Sequence, residues 1–296
     1  MASDEMQAII ELVEAMPSIG GDGLEQARAT LEGSGAIPLD DDVSVETGTL
    51  AGRPVEWVTA GKVSADAATL LYFHGGGYCL GSLSSHRRHV ANLSRASGLR
   101  CAHLDYRLAP ENPFPAAVED AVAAYDALLA SGLHPARLAI GGDSAGGGLT
   151  MAALVSIRDA GTPLPAVGVL LSPWVDLTLS GESHHSRAHL DPMIDNDAMA
   201  ALRSWYLGAT PPEHPLASPL FADMAGLPPL LVDCGEAEVL HDDAVELAAR
   251  LTAAGVAVDH QVWPEMVHVF QAFAGMAPEA QAGVDRIGAF LRHHLG

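Results

Sequence analysis

The sequence predicts an α/β protein, a mostly parallel sheet with helices on both faces, and three observations lead there. From residue 69 onward, short β-rich runs alternate with helical stretches, as strands joined by helical crossovers do. One of those strand-to-helix junctions carries a glycine-x-serine-x-glycine turn. The chain has 296 residues, 49% hydrophobic and only 5% aromatic, so one α/β domain with insertions can bury an aliphatic, alanine-rich core.

Residues 4–16 and 22–33 read as two amphipathic helices on either side of the "SIGGDG" break. Met6, Ile9, Ile10, Val13 and Met16 follow helical spacing. "VSVETGTL" and "RPVEWVTA" alternate apolar and polar residues about Ala51–Gly52, as two antiparallel strands would. The β-rich runs that follow are "TLLYF", "RCAHLD", "RLAIGG", "AVGVLLS", "PPLLVDC" and "VAVDHQVW". Residues 178–228 break the rhythm. They hold no convincing strand and two short helical segments, and read as an insertion too long for an ordinary connection.

Charge and cysteine usage exclude several classes. Fifteen basic against 37 acidic residues give a net charge of −22, with Lys62 the only lysine. Such a surface repels phosphate backbones and anionic lipids, so neither nucleic acid nor membrane is expected as a partner. The first residues are acidic where a secretion signal is basic, and no apolar run approaches the ~18 residues of a membrane span. Cys79, Cys101 and Cys234 are scattered and odd in number. They are expected as reduced buried thiols of a cytoplasmic protein, without metal-ligand spacing.

"RLAIGGDSAGGGLTMAALVSIRDAG" is the most informative segment. An apolar strand runs into Gly142-Asp143-Ser144-Ala145-Gly146, and an alanine- and leucine-rich helix follows at once. Strand, Gly-x-Ser-x-Gly and helix together describe a nucleophile elbow, which lifts a serine hydroxyl to the carboxyl edge of a sheet. Taken bare, the five residues fit an ordinary glycine-rich turn equally well; the flanking elements favour the elbow. These glycines do not fit the dinucleotide pattern G-x-G-x-x-G, and no lysine follows to make a phosphate loop.

A second glycine run ends another strand, in "TLLYFHGGGYCLGS". Consecutive glycines let the backbone approach a ligand and present successive N–H groups to it. The tetrahedral intermediate of ester cleavage needs such donors at its oxyanion. Gly76 and Gly77 are candidates for two of them, and Ala145, just after the serine, for a third. A flexible loop is the plainer alternative for the triple glycine.

With "HGGGY" and "GDSAGG", the chain also carries "DYRLAPENPFPAAVED" at 105–120, "SPW" at 172–174 and "LASPLFADMAGLPPLLV" at 216–232. In order and spacing these resemble the signature segments of the bacterial hormone-sensitive lipase family of α/β-hydrolase esterases, over roughly residues 40–295. The resemblance implies the α/β-hydrolase fold: an eight-stranded, mostly parallel sheet flanked by helices, with a helical cap. Residues 1–40 would supply cap helices, 41–177 and 229–296 the catalytic domain, and 178–228 the cap insertion and return segment. Pairing into a homodimer through the last strands or helix is a further expectation from the family.

A serine hydroxyl needs a base, usually histidine, oriented by a carboxylate, and in this fold class the chain order is serine, acid, histidine. That order leaves His260, His268, His293 and His294. His260 lies inside a strand pattern, and His293 and His294 end the last helix. His268, in "PEMVHVF", follows the last strand and matches the family's histidine segment, although the family usually has glycine where Glu265 stands. The acid lies in "VDCGEAEVLHDD", which holds Asp233, Glu236, Glu238, Asp242 and Asp243. The family's acid segment reads Gly-x-x-Asp-x-Leu-x-Asp. Gly235, Leu240 and Asp242 fix the register, so the resemblance puts the acid on Glu238, a glutamate where most relatives carry aspartate. A slip of two residues would make it Glu236. Asp233 belongs to the strand end, and Asp242 and Asp243 suit the first turn of a helix.

"SHHSRAHLD" gathers His184, His185, His189 and Asp191, but the spacing matches no zinc signature and a solvated loop is expected. Tyr78, and Met193 with Trp205 and Tyr206 from the insertion, are expected to line the substrate pocket, with core packing as the alternative. The expectation is a carboxylic ester hydrolase using Ser144, His268 and Glu238 on short- to medium-chain acyl esters, with no cofactor and no metal. A lactonase, amide hydrolase or deacetylase on the same fold is the first rival. A non-catalytic ligand receptor is the second.

Overall fold

The computed structural model describes residues 2–15, 23–194 and 196–296. Met16 and residues 18–22 of the predicted helix break lie outside the described residues. Two helices, α1 (Asp4–Glu14) and α2 (Leu24–Glu32), precede the sheet. Ser3 starts α1 by accepting a hydrogen bond from the Met6 N–H at 3.2 Å.

Eight strands make one sheet: β1 (Val43–Leu50), β2 (Arg53–Ala60), β3 (Thr69–Phe73), β4 (Arg100–Leu104), β5 (Leu138–Asp143), β6 (Val167–Leu171), β7 (Leu230–Gly235) and β8 (Val258–Trp263). Their order across the sheet is β1-β2-β4-β3-β5-β6-β7-β8. β1 and β2 form the predicted hairpin; Ala51 and Gly52 both have positive φ, 51° and 79°, which matches the twist of the paired strands. β2 also runs antiparallel to β4, and every later pairing is parallel. The eight-stranded, mostly parallel sheet expected from the sequence is therefore present.

Helices α3 (Leu83–Ser97), α4 (Ala116–Ala130), α5 (Ala145–Asp159), α8 (His241–Ala253) and α9 (Pro278–Leu295) cover the sheet, while α6 (Ser183–Ser186) and α7 (Asn196–Leu207) lie in the insertion. Strand residues alternate between two cores. Leu71, Phe73, Ile140, Leu170 and Val232 face α4, α5 and α8. Leu70, Tyr72, Ala139, Val169 and Leu231 face α3 and α9. A period of two with both sides apolar is what a sheet buried on both faces requires.

The parallel arrangement delivers the carboxyl ends of β3, β5, β6, β7 and β8 to one edge. The two glycine-rich stretches follow β3 and β5, and the acid and histidine segments follow β7 and β8. Residues more than 190 apart in sequence thereby meet at one edge, the usual place for a ligand in an open α/β sheet.

Candidate active site

Ser144 stands between β5 and α5 with φ 53° and ψ −122°, a backbone that L-residues rarely adopt. The surroundings over-determine it. Its N–H donates to the Leu171 carbonyl at 2.8 Å, and its own carbonyl accepts from Gly147, Gly148 and Trp174 at 3.0, 3.1 and 3.0 Å. Gly142 and Gly146 are required by close approach: a Cβ on either would collide with the Phe73 carbonyl on the neighbouring strand. Ser144 is 8% exposed, and Ala145 begins α5, so its N–H belongs to a helix N-terminus.

Hydrogen bonds hold the triple-glycine stretch at several points. His74 Nδ1 lies 2.8 Å from the Gly75 carbonyl, which can only accept, so this nitrogen carries the proton. The Gly76 carbonyl accepts from Leu80 at 2.8 Å and from Cys79 at 3.1 Å. Each carbonyl shares a planar trans peptide with the next N–H, so these bonds turn the Gly76 and Gly77 N–H groups the opposite way. Gly76 has φ 112°, which a side chain would not tolerate. Tyr106 closes the back, stacking on His74 with ring centres 4.5 Å apart and donating its hydroxyl to the His74 carbonyl at 2.8 Å.

Glu238 and His268 meet directly. His268 Nδ1 and Glu238 Oε2 are 2.9 Å apart, and Glu238 Oε1 accepts from the Gly235 N–H at 3.2 Å. Glu238 is fully buried and His268 is 5% exposed. Burial lowers the basicity of the imidazole, but the hydrogen bond and charge of Glu238, helped by Asp191 and Asp143, outweigh it. The net result is a pKa above the ordinary histidine value. The other four carboxylates of the acidic stretch go elsewhere. Glu236 accepts from the Glu265 N–H at 3.0 Å, Asp233 pairs with Arg286 at 3.3 Å, and Asp242 accepts from the Ser183 N–H at 2.9 Å. Asp243, although in the first turn of α8, accepts from the Val175 and Asp176 N–H groups, both at 2.9 Å.

Glu265 has φ 62°, a left-handed backbone that a non-glycine residue adopts only at a cost. Its carboxylate compensates by accepting from the Ala2 N–H, and α1 adds Met6 and Ile9 to a cluster with Met266, Val267 and Phe270 around the histidine loop.

Two positioning contacts escaped the sequence. Ser172 of the "SPW" segment is buried, and its hydroxyl accepts from the Val269 N–H at 3.1 Å, next to His268. Asp191 accepts from Met193 and Ile194 at 2.9 and 3.1 Å, and from Val239, next to Glu238, at 2.9 Å. The first pair of bonds is a local turn that an Asp-Pro dipeptide can signal. The third depends on the fold. Asp191 and His184 are buried, 9% and 2% exposed, so the solvated loop expected for this stretch is corrected at both; His185 and His189 are exposed. Among the described residues no group of three or more His, Cys, Asp or Glu side chains could hold a metal ion.

Of the expected pocket residues, Tyr78 and Tyr206 are buried and stack with ring centres 3.8 Å apart. Trp205 packs against the same core, and Met193 packs against the α1 cluster. α7 nevertheless touches the glycine loop, because Leu202 lies against Gly77.

Residues 70–272 match a family described by the alpha/beta hydrolase fold. The chain is 44% identical to an acetyl-hydrolase of Streptomyces hygroscopicus over 302 aligned residues, covering 100% of this chain and 99% of the relative. It is 34% identical to an esterase of Acinetobacter venetianus, covering 86% and 84%. Among solved structures, an esterase from the bacterial hormone-sensitive lipase family superposes with a TM-score of 0.96 at 47% identity, covering 100% of both chains.

Proposed function

The chain belongs to the bacterial hormone-sensitive lipase family of α/β-hydrolase esterases, and from that premise we propose that it hydrolyses short- to medium-chain acyl esters through Ser144, His268 and Glu238. One observation carries the assignment of residues: the buried 2.9 Å contact of His268 with Glu238, on the loops after β8 and β7, at the sheet edge where β5 delivers Ser144.

Ser144 attacks the ester carbonyl as His268 takes its proton, and Glu238 stabilises the imidazolium that forms. The N–H groups of Gly76, Gly77 and Ala145 bind the oxyanion. Protonated His268 gives its proton to the departing alcohol. Water, activated by the same histidine, then releases the acid from the acyl-serine. Residues 1–40 and 178–228 act as a cap over the catalytic domain formed by 41–177 and 229–296. The packing of Leu202 against Gly77 and of Met6 against Met266 supports that division. The buried free thiols of Cys79, Cys101 and Cys234 support a cytoplasmic location, and no helix among the described residues is long and apolar enough to cross a membrane. The outer position of β8 in the sheet supports pairing of two copies there.

The similarity to an acetyl-hydrolase favours a narrower reading, removal of an acetyl group from one metabolite. Chromogenic esters of graded acyl length, assayed with wild type and Ser144→Ala, test both. Turnover confined to acetyl esters supports the narrow reading, and a broad optimum over short and medium chains supports the wider one. Absence of turnover on every ester, with tight ligand binding retained, contradicts both.

A further inference from the structure

Immediately before Ser144 lies a carboxylate that the reaction above does not use. Asp143 ends β5 and is 2% exposed. Its Oδ1 accepts the Tyr72 hydroxyl at 2.7 Å, and its Oδ2 lies 3.5 Å from His86 Nε2. Tyr72 is the penultimate residue of β3, and His86 lies in the first turn of α3. The segment between those elements contains Gly76 and Gly77. A single carboxylate thus ties both ends of the glycine loop to the residue preceding the nucleophile. The middle of the loop rests on it as well: a Cβ added at Gly75 would collide with Asp143 Oδ2 and come within 3.1 Å of Ser144 Cβ.

The groups facing this carboxylate come from several elements. Burial pushes His74 down to about 3, His89 down to about 4 and His103, on β4, well below its ordinary value, so these rings are neutral near neutral pH. Burial likewise keeps the Tyr72 hydroxyl protonated and able to donate. Burial opposes the charge on Asp143, but His86 and the Tyr72 hydrogen bond outweigh it and hold the group ionised. His268, across the site, feels that negative charge.

We infer that Asp143 is a positioning residue, which sets the glycine loop in register against the nucleophile elbow. The inference rests on Ser144 as nucleophile and on Gly76 and Gly77 as oxyanion donors. A loop displaced by a fraction of an ångström loses more in the transition state than in substrate binding, so the loss falls on kcat rather than KM. Asparagine keeps the acceptor for Tyr72 and removes the charge; alanine removes both.

The experiment compares wild type, Asp143→Ala, Asp143→Asn and Tyr72→Phe on one short-chain chromogenic ester, with kcat, KM and the pH profile of kcat/KM. Asp143→Ala is expected to lower kcat by roughly ten- to a hundredfold with KM little changed, and Asp143→Asn to recover most of that loss. Asp143→Asn also moves the acidic limb to lower pH, because His268 loses a neighbouring negative charge. Tyr72→Phe, which keeps the ring, lowers kcat several-fold and stands in if the alanine variant does not fold. Wild-type kcat in folded Asp143→Ala or in Tyr72→Phe, or an acidic limb that stays in place in Asp143→Asn, would overturn the inference. An active wild type whose turnover survives Ser144→Ala would instead overturn the underlying reading of the site.

Discussion

Glu238 and His268, thirty residues apart in the chain, share a buried contact of 2.9 Å, while Glu236 faces the other way and accepts from the Glu265 N–H. Two glutamates separated by one alanine therefore have different tasks. Glu238→Gln keeps the size of the side chain but removes the charge that, in the proposed mechanism, stabilises the imidazolium. A fall in kcat of roughly a hundredfold or more is expected, whereas Glu236→Gln changes kcat less than about threefold. Steady-state kinetics of the two variants give the ranking, and the reverse order would move the acid to Glu236.

The pH profile follows from the raised basicity of His268. In the proposed mechanism the imidazole must be neutral to accept the Ser144 proton, so kcat/KM is expected to fall as pH drops through its pKa. Because Glu238 raises that pKa, the acidic limb is expected above the ordinary value of about 6.5. The stability linkage has the opposite direction. The protonated pair stabilises the fold fully below the unfolded-state value, and that contribution is lost as pH rises through the folded-state value. The stability difference between wild type and His268→Gln should therefore narrow with rising pH, which denaturant titrations at several pH values can measure.

Glu265 holds a left-handed backbone that glycine adopts without strain. Both Glu265→Gly and Glu265→Ala lose the carboxylate that accepts from Ala2, but only glycine relieves the backbone. The glycine variant should be the more stable of the two by about 1 kcal/mol. Thermal unfolding compares them, and an alanine variant equal to glycine would show that φ at this position carries no cost.

Much of this site is legible in the sequence, for physical reasons that differ from residue to residue. Ser144 could be found because a nucleophile elbow is local: five residues, a strand before and a helix after. Glu238 is singled out by resemblance, because Gly235 and Leu240 set the family's register on one short loop, and it is this residue that meets His268. The cluster beneath the glycine loop could not. Tyr72, His86 and Asp143 come from three elements, and only the β4-β3-β5 order of the sheet brings β3 beside β5. Asp191 was misjudged for a related reason. A polar stretch in an insertion looks solvated until its backbone partner, the Val239 N–H, is supplied by a loop 48 residues away. Tyr78 and Tyr206 show the converse: of the two readings the sequence leaves open for them, pocket lining and core packing, the structure has both buried and stacked on each other.

Whether Ser144 carries the acyl group is decided by intact-mass and peptide-mass analysis after treatment with one equivalent of a serine-directed phosphonate ester. A single adduct is expected on Ser144 of the wild type, with loss of esterase activity in proportion to labelling, and none on Ser144→Ala. Labelling of another serine, or an adduct that survives in Ser144→Ala, would contradict it.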